Sequence, residues 1–303
     1  MLKGDWRAEH NRNIVQYGTA WAPATPVRRH REDWATVHAG ARLYEALLGG
    51  SDHYAADRDV LSGMDGKDFI RLRLAARINL QHNALVARYL AQQGFDQFLD
   101  LGCGLPSPMQ HSRNSRVIPD VHTAVFGVQP DARVIYVDVD HVVIGRRRMA
   151  TEETGAALVQ GDLRDMGTLL ASDQVCGRLD LTRPVAVLMH DVLPWVADPD
   201  ATEAVRVLRD WAPSGSALSI THAADLGSTV PSKLTPLLGE VADLTYSPRE
   251  AHRIEEFFGA WRLLDPGLVP THQWHPKHSR RAEEPQLAGA YAGVGIKEDR
   301  AAA

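Results

Sequence analysis

The sequence predicts a doubly wound α/β domain on a mostly parallel sheet, preceded by a helical region. Two observations carry this. From Phe95 onward, short and nearly unbroken apolar runs alternate with helical segments. Such runs are strands buried on both faces, as in a parallel sheet covered by helices. The first run also delivers a Gly-x-Gly turn, Gly102-Cys103-Gly104, at its carboxyl end. That is where such a sheet opens space for a ligand.

Taken in order, residues 1–35 mix Asn, Arg and His with Pro23 and Pro26, show no helical period, and are expected to be flexible. Their cluster Arg28-Arg29-His30-Arg31 reads as a solvated charge run. Residues 36–93 read as helical. Ala41–Leu48 is rich in helix formers and stops at Gly49-Gly50. Ser51–Arg58 is a turn into a second helix. Residues 67–93 carry Ile70, Leu74, Ile78, Leu85 and Leu90 at three- and four-residue steps, an amphipathic pattern that allows one break. The strands follow at 97–101, 134–138, 157–160, 184–189 and 216–221, with later ones at 261–264 and 291–296. Between the first two, 105–133 reads as an insertion plus a helix near Val121–Phe126. Residues 94–303 are expected to form one core.

Composition narrows the function classes. The chain has 303 residues, 44% hydrophobic and 23% charged, with a formal charge of -5. It has no run of about 18 apolar residues, which predicts no membrane span. Met1–Trp6 has no apolar leader core, so a cytoplasmic protein is expected. Two cysteines argue against a disulfide scaffold or zinc–thiolate cluster. The negative balance argues against nucleic-acid binding.

Three strand ends carry the candidate site. At Gly102 and Gly104 a missing side chain lets the backbone approach a ligand. The third glycine of the dinucleotide fingerprint is replaced by Leu105-Pro106-Ser107-Pro108, which disfavours an NAD-dependent oxidoreductase. Asp138, in Val137-Asp138-Val139-Asp140, can accept from two ribose hydroxyls. Asp162, in Gly161-Asp162-Leu163, can accept from an adenine amino group. The alternative for each acid is a helix N-cap.

These motifs resemble class I S-adenosylmethionine-dependent methyltransferases. The resemblance sharpens to an actinomycete-type family, long known only as a domain of unknown function. It is carried by Ala41–Arg58, by Ala76-Arg77-Ile78-Asn79 and Val86-Ala87-Arg88-Tyr89-Leu90, and by Gln97–Ser107. It continues from Phe257-Phe258-Gly259 through Pro266-Gly267-Leu268-Val269 to Ala292-Gly293-Val294-Gly295, so it covers about residues 38–297. It implies a Rossmann-like core with a mostly parallel seven-stranded sheet. It also implies a helical cap, 36–93, over the cofactor and substrate site, with S-adenosylmethionine as cofactor. Gly102 and Gly104 would face the methionine and ribose portion, Asp138 the ribose, and Asp162 and Leu163 the adenine. Gly50, Tyr54, Arg77 and Asn79 would close over the amino-acid end, where the Arg77 guanidinium suits a carboxylate. Asp100, Val139 and His190 complete the cofactor set. The sequence departs from the family at the inserted stretch 111–117, at Asp120, and at His190-Asp191, where the family continues with apolar residues.

Methyl transfer is an in-line displacement that mainly needs alignment and exclusion of water. His190 and Asp191 are the candidate catalytic residues, His190 ranked first because its ordinary pKa is near neutrality. As neighbours on a strand they are expected to point to opposite faces. His53, Trp195 and Trp274 are candidate substrate contacts. His272, His275 and His278 share a three-residue spacing, but Pro270 and Pro276 disfavour a helix there and no metal site is expected. Cys103 lacks an activating neighbour and is not a candidate nucleophile. The expected activity is methylation of a small molecule, an indole- or phenol-like secondary metabolite. The alternative is an S-adenosylmethionine-binding sensor or inactive homologue. Expected partners are a small-molecule acceptor, with no nucleic acid and no membrane; the oligomeric state is left open, a homodimer included.

Overall fold

The computed structural model describes residues 38–107, 118–225, 230–242, 244–275 and 289–298. The segment 1–35, the inserted stretch 111–117 and His278 lie outside the described residues.

Helix α1 (Gly40–Leu48) ends where the glycines predict. Gly49 takes φ 80°, and its N–H and that of Gly50 close on the carbonyls of Ala46 and Glu45. Only glycine holds that left-handed turn without a Cβ penalty. Helix α2 (Ala55–Ser62) follows, and a buried Arg42–Asp57 ion pair of 2.9 Å ties it to α1. Helix α3 runs unbroken over Gly66–Gln92, with the Asp65 side chain accepting from Lys67 N at its start. Its inward face differs from the sequence pattern. Ile70 and Leu74 are exposed, while Leu72, Ala76, Asn79, His82, Val86 and Leu90 are buried. The early part of α3 therefore packs on neighbours offset by part of a turn from its most apolar stripe.

The sheet contains β1 (Gln97–Leu101), β2 (Arg133–Asp138), β3 (Ala157–Gln160), β4 (Ala186–His190) and β5 (Ala217–Ala223), then β6 (Arg262–Leu263), β7 (Val269–Pro270) and β8 (Ala290–Ile296). Its order is β3-β2-β1-β4-β5-β8-β6, with β7 paired to β8 off that path. β1 to β5 pair in parallel and β8 runs antiparallel to β5. The eighth strand, beyond the seven expected, is the two-residue β7. The strand order reverses at β1, which lies between β2 and β4, and a crevice opens at such a switch point.

Alternation along the strands supplies two cores. Leu99, Leu101, Ile135, Val137, Val187 and Met189 pack on one face, against α6 (Met166–Ala171) and α7 (Asp198–Trp211). Phe98, Val134, Tyr136 and Leu188 pack on the other, against the end of α3 and α4 (Val121–Phe126). A third cluster joins Leu43, Leu47, Leu61, Leu72 and Ala76 to Leu234 and Leu238 of α8 (Val230–Ala242) and to Tyr246. The helical cap is thus built from the early helices and from α8, which lies between β5 and β8 in sequence. Two helices complete the set, α5 (His141–Thr151) after β2 and α9 (Ala251–Glu256) before β6.

Candidate active site

A cavity of about 540 Å³ lies at the carboxyl ends of β1 to β4, roofed by α1 and α3. The turn after β1 opens it. Gly102 takes φ 73°, and a Cβ there would sit 2.1 Å from Val192 Cγ2. Gly104 takes φ 61° and faces open space. The first glycine is demanded by packing as well as by conformation, and the second leaves the backbone bare on the cavity side.

Asp138 closes the end of β2. Its Oδ2 accepts from Gly104 N at 2.9 Å and its Oδ1 from Asp140 N at 3.0 Å. Each oxygen keeps acceptor capacity, as a pair of hydroxyls would require. The N-cap of α5 is the next acid, Asp140, which accepts from Val142 N at 2.8 Å. Asp138 is therefore not a helix cap. Burial pushes its carboxyl up to about 6, while the two N–H donors pull the other way. Asp100, under the same turn, is pushed up to about 7 by burial. Asp162 also lines the cavity, but it caps the turn that follows, accepting from Arg164 N at 3.0 Å, and its carboxylate pairs with the Arg164 guanidinium. Leu163 and the half-exposed Val139 give this end apolar surface.

The group that holds the turn was missed in the sequence. Arg147 of α5 is buried. Its Nε donates to Gly104 O at 2.6 Å, and one guanidinium nitrogen to Cys103 O at 2.6 Å and Leu105 O at 3.2 Å. The other reaches Asp120 Oδ1 at 3.3 Å, and the plane lies 4.3 Å over Tyr136. Asp120 in turn accepts from Ser107 N at 3.1 Å. Arg147 stands inside the run Arg146-Arg147-Arg148, which reads as surface charge. The available signal was its place one turn beyond Val143, on the buried face of α5.

At the far wall stand His190 and Asp191, both lining the cavity. The expected opposition of neighbours fails because β4 ends at His190. Asp191 turns to φ 55°, with its N–H held by Thr221 O at 2.9 Å, and its side chain is redirected. His190 shares a hydrogen bond with Ser219 Oγ at 2.9 Å and meets the His82 ring edge-on at 5.6 Å. Burial holds its imidazole well below the usual range, so it is neutral at pH 7. Burial pushes the Asp191 carboxyl up to about 7. A base is best matched near the working pH, and of the two it is the Asp191 carboxyl that burial moves toward that range.

Of the cap residues, Asn79 reaches the cavity, and so does Trp195 from the turn after β4. Gly50, Tyr54, Arg77, His53 and Trp274 do not line it. Gly50 completes the stop of α1. Tyr54 sits at the start of α2 with its ring 5.1 Å beneath the Arg42 guanidinium. His53 Nδ1 lies 2.6 Å from Glu45 Oε2, which ties the loop after α1 to that helix. Arg77 is half-buried on α3 away from that wall. Trp274 is buried edge-on to His82 at 5.2 Å and Tyr89 at 6.0 Å, as core packing.

Residues 28–298 match the family model described as S-adenosyl methyltransferase. The chain is 30% identical to a putative methyltransferase from Thermobifida fusca. The TM-score is 0.76, over 88% of this chain and 97% of that one. It is 29% identical to a DUF574 family protein from Streptomyces avermitilis, with a TM-score of 0.77, over 88% of this chain and all (100%) of that one. No curated protein matches it.

Proposed function

The chain belongs to the S-adenosyl methyltransferase family, with S-adenosylmethionine as its cofactor, and on that premise we propose that it methylates a small aromatic or heteroaromatic molecule of secondary metabolism. One observation carries the reading. A single cavity of about 540 Å³ gathers the glycine turn, Asp138, Asp162 and the pair His190–Asp191. That volume falls within the range of small-ligand sites. Among the described residues no helix is long and apolar enough to cross a membrane, and the charge of -5 disfavours a nucleic-acid substrate.

The residues fit the cofactor. The bare backbone at Gly104 admits it closely, and the Asp138 carboxylate, already squared by two backbone N–H groups, has lone pairs left for ribose hydroxyls. Leu163 and Val139 offer surface to the adenine, and Asp162 an acceptor to its amino group. Asn79 stands on the cap side for the amino-acid end. When bound, S-adenosylmethionine supplies an electrophilic methyl group on a sulfonium. The protein's share is alignment and exclusion of water, through the cap over the strand ends. Trp195 supports an aromatic acceptor. It lines the cavity, with Gly40 seated on its ring and Tyr246 4.8 Å away.

Two measurements test this. S-adenosylhomocysteine should bind the purified protein at equilibrium. Label from methyl-labelled cofactor should pass to a phenol or an indole in a panel of small acceptors. Transfer only to aliphatic acceptors or to nucleic acid would overturn the aromatic assignment.

A further inference from the structure

A second chamber adjoins the main cavity beneath the cap. It measures about 40 Å³ and is walled largely by apolar side chains, among them Leu47, Leu72, Ala76, Leu234 and Leu238. Tyr44, Asn79, Asp191 and Trp195 belong to the walls of both spaces and so mark their junction. Two of these are already engaged. Tyr44 donates to Ala76 O at 2.8 Å. Trp195 packs on Gly40. Asn79 Oδ1 and Asp191 Oδ1 differ, both being shut off from water with no hydrogen-bond partner among the described residues, and of the two only the carboxylate can also take up a proton. A buried acceptor without a donor is unfavourable and calls for an explanation. The Asp191 acceptor stands where a ligand would pass from one space to the other, on a backbone held at φ 55°.

We propose that the methyl acceptor donates an O–H or N–H to Asp191 Oδ1 and places a short alkyl arm in the chamber under the cap. This rests on the methyltransferase reading above. Size decides which part goes where. An apolar cavity of roughly 150 Å³ holds a benzene ring. A chamber of about 40 Å³ is too small for a ring and suits a few carbons. The ring therefore stays in the larger cavity beside Trp195. The acceptor sheds one proton for the methyl group it gains, and the Asp191 carboxylate takes that proton. Its carboxyl, pushed up to about 7 by burial, is matched to that role. The titratable groups facing it are Tyr44 from α1 and Tyr246, both held well above 10 by burial and therefore neutral. His190, bonded to Ser219 and held well below its usual range, is the weaker proton acceptor.

The test compares three probes on the full chain saturated with S-adenosylhomocysteine, by ligand-observed NMR titration. They are 2-isopropylphenol, phenol without the alkyl arm, and 2-isopropyltoluene without the donor. 2-Isopropylphenol should bind about tenfold more tightly than either of the others, from apolar burial in one comparison and the hydrogen bond in the other. Ala76→Leu, which fills the chamber, should erase the advantage over phenol while leaving S-adenosylhomocysteine affinity unchanged. Equal binding of 2-isopropylphenol and 2-isopropyltoluene would overturn the role of Asp191. Equal binding of 2-isopropylphenol and phenol, or no probe binding to the loaded protein, would overturn the chamber assignment. The wild-type comparison decides even if Ala76→Leu does not fold. Failure of S-adenosylhomocysteine to bind the wild type would instead overturn the cofactor assignments beneath it.

Discussion

Replacing Arg147 by lysine keeps the positive charge and removes the fork. In the native site one guanidinium serves the carbonyls of Cys103, Gly104 and Leu105 and the Asp120 carboxylate, at 2.6 to 3.3 Å. An ammonium is a single point with three donors and cannot span that set. With two of the four acceptors left unpaired at about 1–3 kcal/mol each, the loss is about 2–6 kcal/mol, with a smaller part from the contact over Tyr136. The effect divides between folding and the shape of the glycine turn. Arg147→Lys should lower the apo melting temperature by about 5–10 °C. It should also weaken S-adenosylhomocysteine about ten- to a hundredfold by isothermal titration. Melting within about 1 °C and affinity within about twofold of wild type would refute the role given to Arg147, since no plausible redistribution of its bonds would then matter to the turn.

Three further outcomes follow from the same geometry. Asp138→Ala should weaken S-adenosylhomocysteine about ten- to 150-fold, by loss of charge-assisted hydrogen bonds of about 1.5–3 kcal/mol; unchanged titration would show that Asp138 only ties Gly104 and Asp140 together. Asp100 is pushed up to about 7 by burial, so the folded state holds its proton more tightly than the unfolded chain. Its contribution to stability is complete below about pH 4 and is lost as pH rises through about 7. Asp100→Asn, which mimics the protonated form, should therefore melt higher than wild type at pH 8, by about 2–4 °C, and show little gain at pH 4; a pH-independent difference would contradict this. His190→Ala should leave S-adenosylhomocysteine affinity within about threefold and destabilise by about 1–3 kcal/mol through the lost Ser219 contact and the space left. Full stability with abolished transfer would place His190 on the acceptor instead.

Much of the frame was legible along the chain. The strands were visible because burial on both faces requires apolar residues at every position. The structure sorts them by parity, Phe98 to one core and Leu99 and Leu101 to the other. Gly49 and Gly102 were legible because a left-handed turn or a close approach admits little else, and both take positive φ. Asp138 was legible as an acid at a strand end, and its separation from the true cap, Asp140, sits within three residues. The family pattern added the cofactor, which no local spacing here specifies.

Other features depended on which distant segments meet. The inward face of α3 holds Asn79 and His82 while Ile70 and Leu74 face out, because the helix packs on α1, α4, α8 and the sheet in turn. Arg147 is one arginine in a run of three until the glycine turn folds against it. His190 and Asp191 alternate as strand neighbours should, until φ 55° at Asp191 brings both to one cavity. The chamber under the cap takes its walls from α1, α2, α3 and α8, which are up to 195 residues apart in order of the chain, from Leu43 to Leu238. Periodicity and special backbone angles are properties of adjacent residues and are written in their order. The partner of a buried charge and the size of a cavity are set by surfaces that touch only after packing, and only the tertiary structure decides them.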